Sequence, residues 1–146
     1  MRTGLLIASA AMFAASTAGA QSLVAIDREV FLEVSQERDG RTQRLLAPAE
    51  MLERGDTVVL MLAWRSPRDA PFTISSRVPR NLAFRASGGA TAQVSVDGGR
   101  TWGTLASLRV EGRPATSADV TNIRWDVANP RAAKGRGVFT YSAVVR

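Results

Sequence analysis

The chain has 146 residues, with 19 basic and 13 acidic side chains giving a formal net charge of +6, and it contains neither cysteine nor histidine. Their absence removes disulfides, Ser-His-Asp and Cys-His nucleophiles, thiol redox chemistry and ordinary zinc sites in one step. Every basic residue except Lys134 is an arginine, and the arginines are scattered singly among acids such as Asp27, Glu29, Glu33 and Glu37. That pattern predicts a solvated mixed surface, and no nucleic-acid partner is expected.

Arg2, the apolar stretch Leu5 to Ala15 and the small residues Ala18-Gly19-Ala20 read as a secretory signal peptide cut before Gln21. About fifteen apolar residues are too few for a membrane span, which needs about twenty. Residues 1–20 are therefore expected to be a cleaved signal helix and residues 21–146 a single exported domain, periplasmic or extracellular, with no span after cleavage.

From Val24 to Val34 the even positions Val24, Ile26, Val30, Leu32 and Val34 are apolar, Arg28 excepted, which predicts a long first strand with one apolar face. Asp39-Gly40 signals a hairpin, and Thr42 to Leu46 can return as a second strand before Pro48. A short helical turn is an alternative for Ala49 to Arg54. The run Thr57 to Arg65 is continuously apolar and rich in strand formers, as a central strand requires. Phe72 to Val78 and Leu82 to Ala86 follow, separated by Pro79-Arg80-Asn81.

Val94 and Val96 alternate with Gln93 and Ser95 before Asp97-Gly98-Gly99 breaks the run, and Thr101-Trp102 begins a second strand-like segment, so a hairpin is expected here. Asp97 is suited to accept backbone N–H bonds, Gly98 and Gly99 to adopt positive φ, and Trp102 to cover the turn. The set Ser95, Asp97, Gly99, Thr101 and Trp102 resembles the Asp-box hairpin that recurs in sialidases and other β-propellers. One copy cannot make a propeller, which needs several blades of about forty residues, so these five residues are read as a structural hairpin. Leu105 to Val110, Val120 to Val127 and Val138 to Val145 supply the remaining strands, the last with Phe139, Tyr141, Ala143 and Val145 on one face. The total of about eight or nine short strands without sustained helical periodicity predicts an all-β sandwich or barrel.

The segment Leu52 to Leu62, containing Gly55-Asp56 before its apolar run, and the segment Ser75 to Phe84, containing Val78-Pro79 and Asn81-Leu82, together resemble the bacterial conserved repeat domain of the DUF11 type. The resemblance spans about Leu45 to Val145. Arg54 stands where that family usually has proline, and Arg65-Ser66 where it has asparagine. It implies an immunoglobulin-like β-sandwich at the envelope or cell surface, in a family without assigned catalytic chemistry.

No catalytic, cofactor-binding or metal-ligating residue is assigned. Glu50 with Glu53, and Asp119 with Asp126, are the carboxylate pairs that a small carbohydrate-active hydrolase would need to bring within about 5 to 9 Å. Arg54-Gly55-Asp56 reads as a turn before a strand, not an adhesion tripeptide. Trp64, Trp102 and Trp125 are a sugar-stacking platform only if exposed together, whereas their apolar neighbours Leu60, Leu62 and Ile123 make Trp64 and Trp125 core candidates. The expected function is binding or assembly with an envelope or surface protein or glycan. A carbohydrate-active hydrolase and an arginine-based polyanion-binding module are the alternatives.

Overall fold

The computed structural model describes residues 24–146, so the signal-peptide reading lies outside the described residues. These residues form an all-β sandwich of ten strands: β1 (Ala25–Arg38), β2 (Arg41–Pro48), β3 (Thr57–Arg65), β4 (Phe72–Arg77), β5 (Leu82–Gly88), β6 (Gln93–Ser95), β7 (Arg109–Val110), β8 (Arg113–Pro114), β9 (Asn122–Val127) and β10 (Arg136–Val145). Eight have three or more residues, in line with the eight or nine expected, and β7 with β8 adds a two-residue ribbon. Ala49 to Arg54 forms no helix; Gly55 adopts φ 93° in a tight turn into β3.

The larger sheet has the order β2-β1-β3-β10-β5 and the smaller β4-β9-β6. β3 is the centre of the five-stranded sheet, hydrogen-bonded along its length to β1 and β10, which explains its continuous apolar sequence. Its residues Val58, Leu62 and Trp64 are buried on the face turned to the smaller sheet. Tyr141 and Ala143 from β10, Leu82 and Phe84 from β5, Ile74 from β4, and Ile123, Trp125 and Val127 from β9 complete this core. Leu60 and Phe139, also expected inside, pack against it while remaining partly exposed.

Aromatic rings join the two sheets. Trp125 stacks on Phe139 at 5.1 Å with 2° between the planes, and Trp64 meets Phe72 edge-on at 5.2 Å. Trp64 also fixes its cross-strand partner, because a Cβ at Gly137 would lie 2.6 Å from the indole Nε1. Trp64 and Trp125 are thus core residues and share no surface with Trp102.

The predicted apolar face of β1 is only partly covered, which departs from the sequence expectation. Val24 and Ile26 pack against the core, but Val30 is 41% exposed, and Leu45 and Leu46 of β2 are 43% and 48% exposed. A sheet of three strands is too narrow to roof one of five. β1 pairs with β3 only from Ala25 to Leu32; from Phe31 onward it pairs with β2, and the two run on to a turn at Asp39-Gly40 as a hairpin arm.

Leu62, at 1% exposure, should lose about 2 to 5 kcal/mol on Leu62→Ala. Leu46→Ala in the arm should stay within about 0.5 kcal/mol. Urea denaturation of residues 21–146 measures both, and similar losses at the two positions would contradict the asymmetric core.

Candidate functional site

Among the described residues, side-chain hydrogen bonds are densest at the Asp97 turn. Asp97 Oδ1 accepts from Ser95 Oγ at 2.8 Å and from the N–H groups of Arg100 and Thr101 at 3.1 and 3.0 Å, while Oδ2 accepts from Thr101 Oγ1 at 2.7 Å. Ser95, fully buried, also accepts from the Gly99 N–H at 2.9 Å. Gly98 and Gly99 sit at φ 79° and 92°, where a side chain is strained. The Trp102 indole Nε1 donates to the Gly99 carbonyl at 2.9 Å. All five residues singled out from sequence therefore meet in one turn.

One part of the expectation changes. The return segment does not become a strand: Val94 and Gly103 exchange two backbone bonds at 2.9 and 3.1 Å, and the chain then bends into a 3-10 turn at Leu105–Ser107 before the two residues of β7. Close packing accounts for the bend, since a Cβ at Gly103 would lie 2.7 Å from Ser107 Oγ. Trp102 is half-buried and outside the main core, with the Arg124 guanidinium 4.6 Å from its ring centroid.

Residues without a motif signal anchor the turn. Arg124 donates from Nε and Nη2 to Gln93 Oε1 at 2.8 and 2.6 Å, and the Thr121 hydroxyl accepts from the Gly98 N–H at 2.9 Å. Only the β6–β9 pairing brings Gln93 opposite Arg124, so local sequence gave no warning of them.

The Thr101 N–H and hydroxyl, followed by the Ser95 hydroxyl, hold the Asp97 carboxyl well below the usual carboxylate range. Asp119 is held low in the same way by the Arg113 fork, two bonds of 2.8 Å, and by the Thr116 N–H. Asp126 accepts from Thr73 Oγ1 at 2.7 Å. Asp119 and Asp126 line separate cavities, and no cluster of three or more potential metal ligands occurs among the described residues. In Arg54-Gly55-Asp56, the Gly55 N–H donates to Val145 and the Asp56 carboxylate caps Glu53, so the tripeptide is built into the turn before β3.

Two cavities adjoin at β4 and the turn that follows it. One, of about 370 Å³, opens between β1 and β4 over Val30, Leu60, Leu62 and Tyr141, with Arg28 and Arg77 at its rim. The next, of about 440 Å³, shares Arg77 and Pro79 and adds Arg80, Asp119 and Arg146. Sequence reading treated these arginines as scattered; the turn at Pro79 and the chain end bring Arg77, Arg80 and Arg146 to one cavity. No helix among the described residues is long and apolar enough to cross a membrane. Comparison of the chain with family models, curated proteins and solved structures returns no match.

Asp97→Asn should lower the melting temperature at pH 7. Because folding depresses the Asp97 pKa, its contribution is fully present above the ordinary carboxylate range and is lost as pH falls toward the folded value. The gap between wild type and Asp97→Asn should accordingly shrink in melts below about pH 4; a gap that widened with acid would contradict the assignment. Gly99→Ala should cost more than Gly98→Ala, since both have positive φ but only a Cβ at Gly99 meets Trp102, at 3.4 Å. Trp102→Ala should cost less than Trp125→Ala, for which about 3 to 5 kcal/mol is expected.

Proposed function

We propose that the chain is an exported, non-enzymatic β-sandwich module of the cell envelope or cell surface that acts in binding or assembly. The observation carrying this reading is the unroofed part of the larger sheet, where Val30 stands exposed beside Leu60 and Tyr141 between two arginines. Exposed apolar surface with a polar rim is costly for an isolated protein and useful for a partner. The Asp97 carboxylate is engaged by the turn itself, and Asp119 by Arg113, so both acids have structural partners. The resemblance to the DUF11-type domain points the same way, toward an immunoglobulin-like envelope module, as does the signal-peptide pattern at residues 1–20.

Two other readings remain distinguishable. Arg77, Arg80 and Arg146 around one cavity favour a polyanion ligand, such as an anionic surface glycan, as the second reading. A carbohydrate-active hydrolase would require two free carboxyls across a cleft. Cell fractionation with N-terminal sequencing tests export: the exported chain should begin at Gln21, and exported material retaining Met1 would contradict it. Purified residues 21–146 should show no glycoside hydrolysis, and turnover abolished by Asp97→Asn without loss of melting temperature would overturn the non-enzymatic reading.

A further inference from the structure

The unequal sheets leave β4 with a neighbour on one side only. β4 pairs with β9 from Phe72 to Arg77, and alternate residues along it turn their N–H and C=O groups away from β9, as in any edge strand. The other edges are treated differently. β6 is bridged by Gly103, the 3-10 turn Ser117–Asp119 packs beside β5, and β2 belongs to the hairpin arm, where both faces are largely exposed. β4 combines an open edge with an apolar groove.

The register defines what that groove offers. Val30 lies opposite Leu60, and Leu60 opposite Tyr141, so the three form one cross-strand row on the inner face of the larger sheet; Arg28 and Leu62 form part of the next. The row begins in the core at Tyr141 and ends in solvent at Val30. Tyr141 is 1% exposed and lines the groove, with Ser76 of β4 beside its hydroxyl. Arg28 and Arg77 at the rim are exposed and form no salt bridge among the described residues; Glu29 is the acid lining the groove, and Asp27 lines the adjoining cavity beside Arg28.

We infer that β4 and the groove between it and β1 take an extended, acidic peptide segment of a partner protein as an added strand. This rests on the binding-module reading and gives it an occupant. The peptide backbone hydrogen-bonds to the outward groups of β4, its alternate apolar side chains cover Val30 and Leu60, and a carboxylate meets Arg28 or Arg77. Strand addition supplies affinity through main-chain bonds and specificity through every second side chain. The fourth strand so added extends the smaller sheet over β1.

The test is titration of ¹⁵N-labelled residues 21–146 with a blocked octapeptide of alternating valine and glutamate. Its valine-lysine counterpart, the fully N-methylated valine-glutamate peptide and sodium hexanoate serve as comparisons. Amide shifts should concentrate on Phe72–Arg77, Val30 and Leu60 with the valine-glutamate peptide and be absent with the N-methylated one, which lacks backbone donors. The double variant Arg28→Glu/Arg77→Glu, both positions being exposed, should keep a dispersed spectrum, lose affinity by about tenfold or more and gain the valine-lysine peptide. The inference is overturned by shifts centred on β2 or β5, by no shifts at millimolar peptide, or by hexanoate giving the same shifts, which would make the groove a small-carboxylate pocket. If the exported chain is then found cross-linked to an envelope component through another face, the binding-module reading stands and only the β4 placement falls. Glycoside turnover would instead remove the reading itself.

Discussion

Trp125 lying flat on Phe139 is the contact on which the sandwich depends. Phe139 belongs to β10, which is hydrogen-bonded to the central strand β3, and Trp125 belongs to β9, the centre of the smaller sheet. Two large rings parallel within 2° set how the sheets face one another over their middles. Everything peripheral follows from where those two strands sit. With β9 over β10, the smaller sheet reaches as far as β4, so it covers β1 only at its start, around Ile26, and leaves Val30 and β2 uncovered. The exposed Val30 is therefore a consequence of sheet width and not of an unfavourable local sequence.

The Asp97 turn solves a related problem at the far edge of the smaller sheet. β6 is three residues long and pairs with β9 only from Gln93 to Ser95. A strand so short cannot hold its continuation by ladder bonds, and the carboxylate substitutes for them by gathering the N–H groups of Arg100 and Thr101 with the hydroxyls of Ser95 and Thr101. Thr121 and Arg124 then tie the turn to β9 and the segment before it. The chain has no cysteine, so no disulfide fastens this edge and the hydrogen-bonded turn holds it instead.

The sequence was most legible where one residue pattern served one structural need. Thr57 to Arg65 reads as a strand with those same bounds because a strand flanked on both sides needs apolar residues at successive positions. Asp97, Gly99 and Trp102 are recognisable because the turn chemistry is local. Period two placed Phe139, Tyr141 and Ala143 on one face of β10 correctly, but the same pattern in β1 did not mean burial. Alternation specifies which residues share a face; it carries no information about how many strands lie opposite. The loss of a return strand after Trp102 had a signal in Gly103, whose bare backbone lets Ser107 approach, although only the folded chain reveals that approach. Arg77 and Arg80 likewise look dispersed in sequence, because their convergence with Arg146 depends on the segment at Arg146 passing beside the turn at Pro79.

The molecule joins a firmly packed centre to an open edge. Native-state amide hydrogen exchange of residues 21–146 tests it most directly, because exchange reports the free energy of opening strand by strand. Amides of β3, β9 and β10 should be the slowest, while β4 should show a two-residue alternation, with protected amides directed at β9 and fast ones directed outward. Uniform protection along β4, equal to that of β9, would mean that its outer edge is already covered and would contradict the account.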